Sequence, residues 1–204
     1  MRLTYQDSYE YLYNRNSLGY RCAEFADIDW SSCTAVFGCS EVFGVSVVED
    51  QTLTHYLSQY TNRPCINLGI PGSSNTTISQ CVDFVYSVYA PHSGIVLWTS
   101  PYRYPYYSLT YHRYHEMTPV GYSQTEHVEQ RESYDRCMAD SQWIAAEFRS
   151  ARSRVAVYGL TEYTVIGESW QAPVLTSMVE DFGADGVHSS GSRCADIARQ
   201  IAGV

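Results

Sequence analysis

The stretch TAVFGCSEVFG, residues 34–44, decides the fold prediction. Its first four residues have strand character, and they run into a glycine and small polar residues before a helix can begin. In an open parallel sheet, ligands bind beyond the carboxyl ends of the strands, so this turn places Ser40 where chemistry can occur. Most serines in such turns only satisfy backbone groups. Taken alone, the stretch leaves two interpretations of Ser40 open, a nucleophile or an ordinary turn residue.

Apolar runs of strand length alternate with segments of helical periodicity, which predicts an α/β fold with a parallel sheet and crossover helices. The predicted strands are residues 34–37, 65–68, 95–98 and 155–158. Three apolar stripes with spacings of three and four residues predict helices around residues 53–60, 78–89 and 194–201. A fourth and longest helix is predicted over residues 123–152, with four inward-facing side chains: Tyr134, Met138, Ala145 and Phe148.

The chain has 204 residues, which fits a single domain spanning residues 1–204. A formal net charge of −9 repels phosphate backbones, so nucleic acid is not an expected partner. No apolar run is long enough for a membrane span, and the N-terminus lacks the apolar core of a secretion signal. By default we expect a cytoplasmic protein, with export or association with a particle left open.

The seven cysteines are spread along the chain without a C-x-x-C pair, which predicts reduced and mostly buried thiols. The string HRYHE, residues 112–116, contains His112, His115 and Glu116 but does not match a zinc-binding helix pattern. We therefore expect no metal and no organic cofactor. Because side chains alternate along an extended strand end, Cys39 is predicted to be a small buried residue facing away from Ser40.

Two segments lack a clean periodicity. Residues 1–33 are predicted as an irregular leader, and residues 100–122, rich in tyrosine, as a long loop that leaves the carboxyl edge of the sheet. Tyr102, Arg103 and Tyr104 are candidate substrate contacts there, since flat rings with hydroxyl tips suit carbohydrates. Tyrosine enrichment suits self-association or a partner surface equally well, so both interpretations stay open.

Two further stretches bear on Ser40. GADGVHSSG, residues 183–191, puts Asp185 and His188 three apart before the last predicted helix. A histidine can take the proton of a serine, and a carboxylate can orient that histidine. CINLGIPGSSN, residues 65–75, puts Gly72 after a strand, where a backbone N–H can donate to an oxyanion. Either stretch alone is more often an ordinary turn.

Together the three stretches resemble the SGNH/GDSL hydrolase family over roughly residues 33–204. The first family block, usually G-D-S, is matched by the variant Gly38-Cys39-Ser40, the second ends at Gly72, and the last, D-x-x-H, is matched by Asp185 to His188. The resemblance implies a three-layer α/β/α fold with a flavodoxin-like parallel sheet. It also implies a catalytic triad of Ser40, Asp185 and His188, with the N–H groups of Ser40 and Gly72 in the oxyanion hole.

The third family block, G-x-N-D, is absent, because the sequence after the third predicted strand reads Trp98-Thr99-Ser100-Pro101. Losing one oxyanion donor typically lowers the rate by ~10²–10³. Three residues are candidates to replace the missing asparagine: Ser100, Arg103 and Asn75.

The resemblance favours a serine esterase acting on a carboxylic ester, including O-acyl groups on carbohydrate. Two alternatives use the same fold. One is a non-catalytic protein that binds a glycan or a partner, and the missing asparagine is its best support. The other is an acyltransferase that uses the same triad.

Overall fold

A computed structural model describes residues 3–6, 12–108, 113–117, 141–164 and 188–204. Eight strands lie in these ranges: β1 Leu3–Gln6, β2 Leu12–Arg15, β3 Thr34–Gly38, β4 Cys65–Gly69, β5 Ser93–Trp98, β6 Tyr104–Ser108, β7 Arg113–Met117 and β8 Thr161–Thr164. Five α-helices accompany them: α1 Ser40–Phe43, α2 Leu53–Thr61, α3 Asn75–Val88, α4 Ser141–Ala156 and α5 Gly191–Ala202. None of the helices in these ranges is both long enough and apolar enough to cross a membrane.

The central sheet has four parallel strands in the order β4-β3-β5-β8. This order matches the first four strands of a flavodoxin-like sheet. β3 lies inside the sheet, with Phe37 in register with Leu68 on one side and Val96 on the other. Every residue of β3 is buried, as expected for a strand covered on both faces.

Successive β3 side chains point to opposite faces of the sheet. Phe37 belongs to a core cluster with residues of α3 and α4, such as Val82 and Phe148. Val36 belongs to a second cluster with α2 and α5, represented by Leu57 and Ile197. Helices therefore cover both faces, and the prediction of a three-layer α/β/α fold is confirmed.

The predicted strand over residues 155–158 is wrong. Val155 lies in the last turn of α4, and the fourth strand of the sheet is β8, which begins at Thr161. Phe148, Ala151 and Val155 form one buried helical stripe, so tertiary packing overrides the strand preference of valine.

The long helix predicted over residues 123–152 is described only in part. Residues 123–140, which include Tyr134 and Met138, lie outside the described residues. Ala145 is half-buried.

The two segments predicted as irregular both contain hairpins. β1 pairs antiparallel with β2 inside the predicted leader, with Leu3 opposite Arg15. β6 pairs antiparallel with β7 inside the tyrosine-rich segment, with Tyr106 opposite His115. Tyrosine favours strands, and the prolines of the second segment concealed this preference. The prediction of one domain over residues 1–204 stays a prediction.

Candidate active site

Ser40 lies at the carboxyl end of the central strand, as the first residue of α1. Its side chain is largely covered, with 6% of the residue exposed. A Cβ at Gly38 would meet the side chain of Val42 and would lie 3.0 Å from the carbonyl oxygen of Leu97. The glycine of the first block is therefore required because α1 turns back across the end of its own strand.

Gly69, at the end of β4, lets α1 lie directly against the sheet. A Cβ at this position would meet the backbone nitrogen of Phe43, and the Phe43 Cα would lie only 2.6 Å away. A backbone atom cannot rotate aside as a side chain can. The close approach of α1 to β4 thus fixes how far Ser40 stands from the sheet.

Asn67 joins α1 to β4 through its side chain. Its Nδ2 donates to the carbonyl oxygens of Val42 at 2.7 Å and Phe43 at 3.3 Å, and its Oδ1 accepts from the N–H of Gly69 at 3.0 Å. These carbonyls belong to the last turn of α1, which has no intrahelical donors for them. A polar residue in the apolar run CINLG was the sequence signal for this role, and the sequence analysis missed it.

Arg21 holds the same end of α1 from the other side. Its Nη1 donates to the Gly44 carbonyl at 2.7 Å and its Nη2 to the Val47 carbonyl at 3.0 Å. The guanidinium stacks 4.7 Å from the centre of the Tyr13 ring. Burial is the main reason that its pKa lies below the ordinary value. No local sequence pattern links Arg21 to α1, because the contact spans more than twenty residues.

Cys39 faces Ser40, so the prediction that it points away is wrong. Its Sγ lies 3.5 Å from the Ser40 Oγ. The same sulfur donates to the Thr99 Oγ1 at 3.2 Å and accepts from the Arg103 Nη1 at 3.5 Å. Strand alternation stops at Gly38, because Cys39 is the residue at which the chain turns into α1. The second part of the prediction, a small buried residue, is confirmed.

Asn75, a candidate to replace the missing asparagine, joins α3 to the end of β5. Its Nδ2 donates to the Thr99 carbonyl at 3.0 Å, and its Oδ1 accepts from the Thr99 N–H at 2.9 Å. This two-point contact uses one of the two amide hydrogens. Ser100 lies next in the chain, and its Oγ accepts from the Tyr102 N–H at 3.3 Å, which leaves its hydroxyl hydrogen available.

Gly72 lies in a tight turn in which the Ser73 N–H donates to the Ile70 carbonyl at 3.1 Å. Its φ of 78° is in the left-handed region that favours glycine. Pro71 and Gly72 at the central positions are typical of a type II turn. Within the described part of the chain, the backbone N–H groups of Gly72 and Ser40 donate no hydrogen bond.

His188 lies two residues before Ser190, the N-terminal cap of α5, whose Oγ accepts from the Arg193 N–H at 3.2 Å. The start of α5 packs beside the start of α2, with Gly191 against Gln51. Burial first and then the nearby Glu41 raise the pKa of the Cys194 thiol to about 12. His188 itself is half-buried in the segment that leads into α5. Asp185 lies outside the described residues, and the triad geometry stays a prediction.

No family model and no curated protein match this chain. The fold is similar to the crystal structure of AlinE4, an SGNH-hydrolase family esterase. The two share 11% sequence identity, the match covers 85% of this chain and 74% of that chain, and the TM-score is 0.40. At that identity and TM-score the similarity does not assign an activity to this chain.

The remaining predicted contacts lie after β5. Tyr102 and Arg103 are half-buried in the turn before β6, and Tyr104 is the first residue of β6. The Arg103 N–H donates to the Ser100 carbonyl at 3.2 Å, which closes this turn. His112 lies outside the described residues, whereas His115 and Glu116 are neighbours on β7. Within the described ranges, no group of three or more side chains is arranged to bind a metal.

A cavity of about 250 Å³ lies between the leader, α2 and β4. Arg21, Glu49, His55 and Asn67 are among the residues that line it. Arg21 and Asn67 bind the carboxyl end of α1, whereas Ser40 is at its amino end. The cavity is therefore separate from the Ser40 site, and we assign it no role in the chemistry.

Proposed function

We propose that this protein is a serine esterase that hydrolyses a carboxylic ester through an acyl-enzyme on Ser40. The observation that carries the proposal is the position of Ser40 at the first turn of α1, beyond the carboxyl end of the central strand. The available N–H groups of Ser40 and Gly72 support it. The motif D-x-x-H before α5 supplies the acid and the base.

In the proposed cycle, His188 takes the proton of Ser40 as the Ser40 oxygen attacks the ester carbonyl. Asp185 orients His188 and stabilises its cation. The N–H groups of Ser40 and Gly72 donate to the oxyanion as it forms. His188 then returns the proton to the leaving alcohol, and water releases the acyl group by the reverse path.

A third oxyanion donor would replace the missing asparagine. Ser100 fits best among the three candidates, because its hydroxyl hydrogen is available and it follows β5 directly. Asn75 already uses its carbonyl oxygen and one amide hydrogen on Thr99. The Arg103 guanidinium contacts the Cys39 sulfur, one residue from the nucleophile.

For the substrate we propose an ester of a small molecule or a carbohydrate, with Tyr102 and Tyr104 as contacts for the alcohol part. Both tyrosines lie in the segment that directly follows β5 and Thr99. Aromatic rings with hydroxyl tips can stack on a sugar and hydrogen-bond its hydroxyls. The catalytic cycle itself needs no metal or organic cofactor.

The test is the substitution Ser40→Ala, with Ser87→Ala on the exposed side of α3 as the matched control. We expect Ser40→Ala to lower the hydrolysis of p-nitrophenyl acetate by about 10³-fold or more, without a change in the circular dichroism spectrum. A fluorophosphonate probe should label the wild type and Ser87→Ala at Ser40, which peptide mass spectrometry identifies. Unchanged hydrolysis by Ser40→Ala, or no labelling of the wild type, would contradict the proposal. Glycan binding by such an inert wild type would favour the non-catalytic alternative.

A further inference from the structure

Arg103 brings a positive charge to the Ser40 site. It lies in the short turn between β5 and β6, and its backbone N–H donates to the Ser100 carbonyl at 3.2 Å. Its Nη1 is 3.5 Å from the Cys39 Sγ, and that sulfur is 3.5 Å from the Ser40 Oγ. Two short contacts therefore separate the guanidinium from the nucleophile.

The guanidinium of Arg103 has few acceptors. Its Nε is buried and has no hydrogen-bond partner among the described residues, and its Nη1 has only a sulfur, which is a weak acceptor. Two other arginines have oxygen acceptors: Arg152 pairs with Glu162 at 2.6 Å, and Arg21, whose Nε is likewise buried without a partner, donates through its Nη1 and Nη2 to three carbonyl oxygens. A buried charged donor without an acceptor is costly, so the Arg103 site is incomplete without an oxygen ligand.

Holding Cys39 in place does not account for this arginine. The Cys39 thiol already donates to the Thr99 hydroxyl oxygen at 3.2 Å, and a thiol needs no cation beside it. Arginine is the side chain best suited to a carboxylate or phosphate, because its planar guanidinium donates two parallel hydrogen bonds.

We infer that Arg103 binds an anionic group of the substrate, so that the ester cleaved at Ser40 carries a carboxylate or phosphate close to the scissile bond. This inference rests on the proposed esterase function. The anionic group can belong to the acyl part, as in a half-ester of a dicarboxylic acid, or to the alcohol part. In both cases Arg103 sets specificity, and Ser40 performs the chemistry.

The first experiment compares three esters: neutral p-nitrophenyl butyrate, mono-p-nitrophenyl succinate, which is anionic in its acyl part, and 4-acetoxybenzoate, which is anionic in its alcohol part. We expect the wild type to have a kcat/KM for one of the anionic esters that is about 10- to 100-fold above that for the neutral ester. Arg103→Gln should bring this ratio to about one, and Arg103→Lys should keep part of it. Arg149→Gln, an exposed arginine of α4, is the control and should leave the ratio unchanged.

Two outcomes overturn the inference while the proposed function stands. One is a wild type that hydrolyses all three esters without preferring an anionic one. The other is an Arg103→Gln variant that lowers kcat/KM for neutral and anionic esters in equal proportion, which would assign Arg103 to the oxyanion or to structure.

A second measurement does not depend on turnover. Succinate and inorganic phosphate should protect Ser40 of the wild type against the fluorophosphonate probe and raise its melting temperature, whereas Arg103→Gln should show neither effect. If the probe does not label the wild type at all, the proposed function fails, and the melting temperatures alone decide the inference. A shift with both anions that is equal in wild type and Arg103→Gln would overturn it.

Discussion

Gly69 shows how a single missing side chain positions α1 and, with it, Ser40. The Phe43 backbone occupies the place where a Cβ of residue 69 would lie. Gly38 has the same function on β3, but there the nearest atom is in the side chain of Val42, which can move, and the backbone neighbour, the Leu97 carbonyl oxygen, is farther away at 3.0 Å. Of the two glycines, Gly69 thus imposes the stricter requirement, because α1 can accommodate a side chain at residue 69 only by leaving the sheet.

We predict that Gly69→Ala lowers the free energy of unfolding by about 3 kcal/mol or more, at the upper end of the cost of overpacking a core. It should also reduce probe labelling of Ser40, because α1 is displaced. Urea denaturation followed by fluorescence measures the first effect, and the labelling rate measures the second.

Gly72→Ala is the matched comparison. Gly72 has a positive φ, but no atom lies within 4 Å of a Cβ built there, so only conformational strain of about 1–2 kcal/mol is expected. An equal loss of stability in the two variants would show that the contact between Phe43 and Gly69 is not the constraint.

The sequence predicted the turn positions of Ser40 and Gly72 from local patterns, while their roles stay predictions, and it missed the residues that three-dimensional contacts bring to α1. Ser40 and Gly72 are found from strand-to-turn patterns. The direction of the Cys39 side chain depends on backbone angles at the start of α1, which the alternation rule for strands does not give. Arg21 is brought to α1 by the path of the leader, for which the sequence contains no periodic signal.

At the scale of elements, α1 is too short to be stable by itself. A helix of four residues has few intrahelical hydrogen bonds, here from the N–H groups of Phe43 and Gly44 to the carbonyls of Cys39 and Ser40. Its carboxyl end is instead held by Asn67 and Arg21, whose side chains bind the carbonyl groups of residues 42 to 47. The element that carries Ser40 is therefore stabilised in large part by side chains from other elements.

We predict that Asn67→Ala destabilises the protein by about 2–4 kcal/mol, because it leaves the Val42 carbonyl and the Gly69 N–H without partners and removes one of the two side-chain donors to the Phe43 carbonyl. The free energy of unfolding in urea measures this loss. Asn14→Ala is the control: Asn14 is exposed and makes a long hydrogen bond of 3.4 Å with Glu49, so we expect a change below about 0.5 kcal/mol. A small effect of Asn67→Ala would mean that Arg21 alone can hold α1.

Helices with a long apolar stripe were predicted well, and their ends follow from local chemistry. Ser74 caps α3 by accepting from the Thr77 N–H, and Thr52 caps α2 by accepting from the His55 N–H. The region from Val155 to Thr164 could not be predicted, since a β-branched residue can end a helix or begin a strand. Only the buried stripe that Val155 forms with Phe148 and Ala151 decides between the end of a helix and the start of a strand.

At the scale of the whole molecule, the three-layer architecture followed from the alternation of strands and helices. Because several thiols have a raised pKa in the folded protein, the stability of this architecture depends on pH. Burial is the largest cause that raises the pKa of Cys22, Cys81 and Cys194, to about 12, 11 and 12. The chain contains no lysine, so no lysine amine titrates in the same range.

We predict that stability falls as the pH rises from about 9 to 11. Below pH 9 these thiols are protonated in both states, and their contribution to stability is fully present. Above it the unfolded chain releases the protons and the folded chain keeps them, so unfolding is favoured by up to about 1.4 kcal/mol per pH unit for each thiol. Urea midpoints at pH 8, 9, 10 and 10.5, in the presence of a reductant, measure the slope.

Cys194→Ala separates the contribution of one thiol from the rest. The variant is expected to be less stable at every pH because of the cavity it creates, but its slope above pH 9 should be smaller than that of the wild type. A stability that is constant or rises between pH 9 and 10.5 would show that the buried thiols do not control the alkaline limit.

The contacts that hold α1 come from elements other than the segment after β5, so that segment can vary in sequence without displacing α1. Ser40 is fixed by β3, β4 and the leader, whereas Arg103 and the tyrosines belong to the segment that follows β5. A replacement or insertion after Thr99 would leave the contacts of Asn67 and Arg21 intact. Under the proposed function, a change in that segment alone would therefore alter which ester is accepted and leave the position of Ser40 unaltered.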